Sequence, residues 1–234
     1  MRAAIISDIH GNLTAFEAVL KDLRETRPDL ILHAGDLSDS GSSPIEIIDR
    51  IRALNWPGVY GNTDELLFRP QSLVDFAATL PQLNSMWNAI AEMAAWTRAQ
   101  LGEERLRWLS QLPIMHVEEG HLALVHASPA DPWRIQLDAL NHHPLIVYGH
   151  THRPGINGRI LNSGSVGQPH DGDQRASYLL LDDGQPQIRR VEYDLEKELK
   201  ALNNVGLPHA NWIARILEQA KPLSEFHNPL TICE

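Results

Sequence analysis

The sequence predicts an α/β protein built on a buried sheet, and three observations carry that expectation. Short apolar runs alternate with segments of helical periodicity, the sign of strands joined through helices. Each of these runs stops at a polar cluster rich in Gly, Asp, Asn or His. The length of 234 residues, with 43% hydrophobic and 21% charged residues, suits one large domain with a sizeable core. A single domain over residues 1–234 is therefore expected.

Residues Ala3 to Ser7 form the first apolar run, ending at Asp8-Ile9-His10-Gly11-Asn12. Thr14 and Glu17 have capping-box spacing, and Phe16, Val19, Leu20 and Leu23 then recur as one helical face. A second run, Leu30 to His33, ends at Gly35-Asp36. Ser43, Pro44 and Glu46 open another helix carrying Ile45, Ile48 and Ile51. Gly58-Val59-Tyr60 reads as a third strand, ending at Gly61-Asn62-Thr63-Asp64. Alternation of this kind predicts a parallel sheet, with ligands bound beyond the carboxyl ends of its strands. Asp64 and Glu65 suit a helix N-terminus.

From about 66 to 111 the pattern becomes helical. Trp87, Ile90, Met93, Ala94 and Leu101 share a face, and Glu104 to Leu109 starts a further helix. The stretch is expected to cross the loop face of the sheet, with Trp87, Trp96 and Trp108 as core and base stacking as a second role for them. Ile114 to Val117 and Leu122 to Val125 predict a hairpin turning at Glu119-Gly120, its second strand ending at His126. Leu145 to Tyr148 ends at Gly149-His150-Thr151-His152. Further strands are expected at Arg159 to Leu161, Ser177 to Leu181 and Gln187 to Tyr193, with Gly184 turning the last pair and Asp194 capping a terminal helix.

The net charge of −10 opposes a phosphate backbone, so broad nucleic-acid binding is not expected. A small phosphorylated substrate remains compatible, since bound cations reverse the local field. One cysteine, Cys233, provides no internal disulfide framework and suits a reducing, cytoplasmic setting. No window has the length of a membrane span, and the opening apolar run is too short for a secretory leader.

The chemistry resides in Asp8, His10, Asp36, Asn62, His126, His150 and His152, which stand at the ends of the apolar runs. Taken singly, each has an ordinary explanation: Gly35-Asp36 a turn, Asn62 a cap, His126 a core histidine. Together, at the same end of successive strands, they form a donor set of carboxylate, imidazole and amide oxygen for a borderline-hard divalent cation. Residues i and i+2 of an extended segment share a side, which lets Asp8 and His10 share one ion. Glycines at 11, 35, 61 and 149 are expected to allow sharp turns there.

This ordered set, Asp8-x-His10-Gly11-Asn12, Gly35-Asp36, Gly61-Asn62-x-Asp64, His126 and Gly149-His150-x-His152, resembles the calcineurin-like metallophosphoesterase superfamily. The downstream Asn162-Ser163-Gly164-Ser165 also resembles a family segment, and the small prokaryotic phosphodiesterases and diadenosine tetraphosphatase-like proteins are the nearest branch. The resemblance implies a four-layer α-β-β-α sandwich and two divalent ions, manganese first, with iron, zinc, nickel and cobalt as alternatives. Asp8, His10, Asp36 and His152 would hold one ion, and Asp36, Asn62, His126 and His150 the other, with Asp36 bridging. Catalysis would rest on Asp36, Asn62 and His150, through attack of a metal-bridging hydroxide on a phosphodiester or phosphoanhydride. Asn12, Thr63 and His170 are candidate substrate contacts; for His170 a solvated loop position is the other reading. The substrate would be small, a nucleotide or dinucleoside polyphosphate among the candidates. Where many members carry His after Gly-Asn, this chain has Thr63, so activity on diesters, anhydrides and aryl esters is expected to exceed that on alkyl monoesters. A nuclease and a non-catalytic interaction scaffold are the competing functions, and apolar residues on 66–111 are a candidate dimer face. His33 is expected to be structural, and His116, His121, His142, His143, His209 and His227 to be surface or packing residues.

Overall fold

The computed structural model describes residues 1–222, so His227 and Cys233 lie outside the described residues. Two mixed sheets form its centre. Strands β1 (Arg2–Ile6), β2 (Leu30–His33), β8 (Ala176–Asp182) and β9 (Gln185–Val191) make the first, in the order β2-β1-β8-β9. The second, in the order β3-β4-β5-β7-β6, contains β3 (Met115–Glu118), β4 (Leu122–Val125), β5 (Leu145–Tyr148), β6 (Gly155–Asn157) and β7 (Ile160–Asn162). The parallel sheet expected from the opening alternation is thus only part of the arrangement. β1–β2, β4–β5 and β5–β7 pair in parallel, and antiparallel hairpins flank them. Asp183 and Gly184 both adopt positive φ, which makes the tight turn that returns β9 antiparallel beside β8.

The period of two along β1 divides the core. Ala3 and Ile5 point between the sheets, where they meet Leu32, Leu179, Leu122, Leu124, Val147 and Leu161. Ala4 and Ile6 point the other way, toward Phe16 and Val19 of α1 (Leu13–Thr26) and Ile47, Ile48 and Ile51 of α2 (Pro44–Leu54). The outer face of the second sheet buries Ala123, Val125 and Ile146 under Leu140, in a single 3-10 turn. The α-β-β-α order is therefore present, its fourth layer reduced to one short turn and its flanking loops.

Several local expectations change. Helix α1 is capped by Asn12, whose side chain accepts from Ala15 N–H at 2.9 Å, and not by Thr14. Gly58 makes one isolated bridge to His33 instead of a strand. After Val59 pairs with His33, the chain leaves for Pro113 through Tyr60, and so no ladder develops. The helical stretch begins at Asn62, earlier than 66: α3 (Asn62–Phe68), α4 (Gln71–Ala77) and α5 (Asn84–Leu109). Gly102 breaks α5 at φ 68° and ψ 173°, separating the two helices the periodicity predicts. Asp194 caps α6 (Leu195–Val205), as expected, and α7 (Ala210–Gln219) follows it. Strand β6 escaped prediction because its three residues carry no apolar alternation. No helix among the described residues is long and apolar enough to cross a membrane. Val74 is the one large apolar residue exposed between 66 and 111, a narrow basis for a dimer face.

Candidate metal centre

β1 and β2 of one sheet and β4 and β5 of the other end at a common edge, and every predicted ligand is brought together there. Asp8, His10, Asp36, Asn62, His126, His150 and His152 are all buried. Asp8, His10, Asp36, His150 and His152 all have positive φ, between 48° and 68°. L-residues rarely occupy that region, and each such residue costs about 1–3 kcal/mol unless its surroundings enforce it. Five together at one strand-end cluster mark a site held in a geometry that the local chain does not favour.

The enforcing contacts are hydrogen bonds from backbone and buried side chains. Asp64 accepts from the N–H groups of Asp36, Leu37 and Gly61 at 2.8–2.9 Å, clamping the Asp36 loop to the start of α3. Burial and the neighbouring Asp36 push its carboxyl up to about 7, against the pull of those donors. Thr63 N–H donates to Asp36 Oδ1 at 2.9 Å. Ser165 Oγ donates to the Asp8 carbonyl, and Asn162 Nδ2 to the Gly149 carbonyl, which gives the Asn162–Ser165 segment its structural role. Gly61 and Gly149 are needed for clearance and not for a turn, since neither has positive φ. A Cβ on Gly61 would stand 2.1 Å from Asp36 Oδ1, and one on Gly149 2.8 Å from Asp8 Oδ2.

The histidine rings are oriented from behind. His10 Nδ1 faces the Asp39 carbonyl at 3.0 Å, His126 Nδ1 the Ala34 carbonyl at 2.7 Å, and His152 Nδ1 the Gln168 carbonyl at 2.6 Å. A carbonyl only accepts, so each Nδ1 carries a proton, and each Nε2, once deprotonated, presents a lone pair inward. Those lone pairs meet other acceptors. His10 Nε2 lies 3.2 Å from His152 Nε2 and 3.6 Å from Asp36 Oδ2, and His152 Nε2 lies 3.3 Å from Asp8 Oδ1. On the other side, His126 Nε2 lies 2.9 Å from Asn62 Oδ1, 3.2 Å from His150 Nδ1 and 3.4 Å from Asp36 Oδ2. Asn62 Oδ1 is also 2.8 Å from His150 Nδ1. Buried acceptors facing acceptors repel unless positive charge lies among them, and a divalent cation fits this donor set. The ligand atoms of Asp8, His10, Asp36 and His152 all fall within 4.8 Å of one another.

The charges respond to the same crowding. Burial lowers His10 and takes His150 down to about 3, which leaves both neutral and able to ligate. Burial opposes charge on His126 and His152 as well, but the Asp36 and Asp8 carboxylates override it and raise both, His126 to about 9, so that in the metal-free cluster a proton supplies the positive charge that a bound cation would replace. Asp36 itself is held far below the usual carboxylate range, because the surrounding histidines outweigh its burial.

The calcineurin-like phosphoesterase superfamily domain matches residues 1–184. The chain belongs to that superfamily. An uncharacterized protein of Methanocaldococcus jannaschii is 32% identical to it over 245 residues, covering 92% of this chain and 96% of the relative. Phosphodiesterase YfcE of Escherichia coli is 29% identical over 196 residues, covering 78% of this chain and 88% of the relative. The crystal structure of a metallophosphoesterase from Sphaerobacter thermophilus superposes with a TM-score of 0.76 at 32% identity, covering 94% of this chain and all of that one.

This phosphoesterase places its candidate substrate contacts unequally. The side chain of Asn12 is committed at both ends, accepting from Ala15 N–H and donating to the Gly167 carbonyl. Thr63 and His170 line the cavity over the metal ligands. His170 is buried, not a solvated loop residue; its ring stacks on His152 with centroids 4.2 Å apart, and its Nε2 has no partner. Sequence reasoning missed Asp39 and Gln168, whose parts depend on tertiary backbone contacts that no spacing reveals; it placed Asp64 at the start of a helix, as observed, but not its clamp on Asp36 and Leu37. It also missed Trp133 and Trp212, which join Trp87 at the same cavity. Trp96 and Trp108 are half-buried in packing, as expected of core residues.

Proposed function

We propose that this chain hydrolyses a small phosphodiester with the help of two divalent cations. One would be held by Asp8, His10, Asp36 and His152, the second by Asp36, Asn62, His126 and His150. The observation that carries the reading is the convergence of imidazole and carboxylate acceptors, with Asp36 Oδ2 within 3.4–3.6 Å of a histidine from each set. Bound cations supply a water of lowered pKa and neutralise charge on the phosphoryl oxygens.

The chain's own groups define the rest. Thr63 N–H occupies Asp36 Oδ1, which turns Oδ2 toward both sets of ligands. The backbone carbonyls behind His10, His126 and His152 fix the tautomers that ligation requires. Thr63 Oγ1 and His170 Nε2, both buried without partners, are the groups available to hydrogen-bond phosphoryl oxygens. Thr63 cannot protonate a leaving group near neutral pH, so substrates whose leaving group departs unaided, aryl esters and diesters, are favoured. The complete ligand set argues against a scaffold, and the net charge of −10 against a nuclease.

Metal-stripped protein should regain hydrolysis of bis-p-nitrophenyl phosphate when manganese is restored, and Asp36→Asn should stay inactive. Activity that survives chelation, or an active Asp36→Asn, would overturn the reading.

A further inference from the structure

The cavity over the metal ligands has two unlike halves. One is the ligand cluster with Asp39, Ser40, Thr63 and His170. The other is an apolar wall built from separate parts of the chain: Phe76 of α4, Trp87 and Ile90 of α5, Trp133 of the loop after β4, and Trp212 and Ile216 of α7. Two of its members are locked. Trp87 Nε1 donates to the Leu80 carbonyl at 3.0 Å, and Trp133 Nε1 to Glu65 Oε2 at 2.7 Å. Phe76 stacks on Trp133 with centroids 4.9 Å apart. Flat faces fixed in this way present ready-made contact area at little entropic expense. α7 lies beyond the residues that match the superfamily domain, so Trp212 and Ile216 stand outside that match.

The wall also lacks something. No Lys or Arg lines the cavity among the described residues, and the remaining sequence, 223–234, contains neither. A phosphate held away from the metal ligands would therefore meet no cation in the cavity lining; the Arg134 guanidinium beside the wall, 5.0 Å from the Phe76 ring centroid, is paired with Asp131, and near the cluster the phosphate would meet Asp39. Polyphosphates need such partners for each additional anionic group.

Resting on the phosphoesterase reading, we propose that the apolar wall is a subsite for a flat aromatic group esterified to the scissile phosphate. The substrate is then a phosphodiester with a single phosphate and at least one aromatic or similarly apolar substituent, not a dinucleoside polyphosphate. The phosphate sits at the ligand cluster, and its organic group lies against Trp87, Trp133 and Trp212. Both kinds of surface open into one cavity, so a single small molecule can reach them together.

The test separates this inference from the activity beneath it. Calorimetric titration of the manganese-loaded chain with phenylphosphonate and methylphosphonate reads the wall without turnover; about tenfold tighter binding of the phenyl compound is expected. Hydrolysis of p-nitrophenyl phenyl phosphate and of methyl p-nitrophenyl phosphate, which share a leaving group, should show the same preference in KM with similar kcat. Trp212→Ala and Ile90→Ala, at half-buried positions, should each erase most of the preference. Equal affinity for the two phosphonates would overturn the subsite even if both esters are hydrolysed. A phenyl preference without any hydrolysis would uphold the subsite and sink the catalytic reading. Variants that change only the oligomeric state, with the preference intact, would assign the wall to another copy of the chain and overturn the proposal.

Discussion

Among single residues, Asp64 is the most informative, because its one carboxylate orders three backbone N–H groups around Asp36. Asp64→Asn keeps the shape but sets an amide donor against donors. A loss of about 10–100-fold in metal affinity or activity is expected, from parallel metal titrations of the two proteins. Thr63 offers the opposite experiment. Thr63→His supplies a titratable acid beside the cluster and should raise turnover of alkyl monoesters relative to bis-p-nitrophenyl phosphate, toward the 10²-fold that general acid catalysis typically contributes. An unchanged ratio of the two rates would exclude a missing acid as the cause of the diester preference. His33 is fully buried beneath Gly58, where a Cβ would come within 2.4 Å of its ring, and burial lowers it to about 4. Its folded value lies below the ordinary 6.5, so between those values the unfolded chain binds more protons. The stability it lends is present above pH 6.5 and is lost as pH falls toward 4. His33→Phe should therefore flatten the fall in stability between pH 7 and pH 5 by on the order of 2 kcal/mol, measured by denaturation at each pH. At this scale the sequence was informative about which seven candidate ligands converge, because each follows a short apolar run. It was silent on Gln168 and on the reach of Asp64 to Asp36 and Leu37, contacts between chain segments far apart in sequence.

Elements explain why those ligands meet. Apolar runs and helical faces announced β1, β2, β4, β5 and β8 and the helices α1, α2 and α5, since burial imposes period two or 3.6 on each. Elements with little burial, such as β6, left no pattern to read. The cap of α1 shows how tertiary contacts override a local motif: Asn12 is tied to Gly167 across the molecule, and the helix starts there instead of at Thr14. Gly102 is a prediction of its own. Its φ of 68° and ψ of 173° lie in a region that is essentially reserved for glycine, although no neighbour would obstruct a Cβ. Gly102→Ala should cost about 1–3 kcal/mol of stability through backbone strain alone, leaving metal affinity unchanged. Thermal unfolding and metal titration of the variant check both halves of that statement.

For the whole molecule, two mixed sheets pack so that β1 and β5, each internal to its own sheet, end together. The pairing of sheets was not visible in the alternation of strands and helices, which suggested a single parallel sheet; it came from the resemblance. The aromatic cavity wall was illegible for a related reason, as Phe76, Trp133 and Trp212 come from three separate parts of the chain, α4, the loop after β4 and α7. Metal and fold are linked at this scale too. Asp8, Asp36 and the inward lone pairs of the histidines repel one another without a cation, so chelation should lower the melting temperature, and saturating metal should restore it. In the proposed reading one buried carboxylate, Asp36, serves two cations at once. Equilibrium dialysis of metal-stripped protein against manganese, with hydrolysis of bis-p-nitrophenyl phosphate followed in the same samples, tests it most directly. Two manganese ions per chain, with activity tracking the second to bind and neither full loading nor activity in Asp36→Asn, is the predicted result. Saturation and full activity at one ion per chain would contradict it.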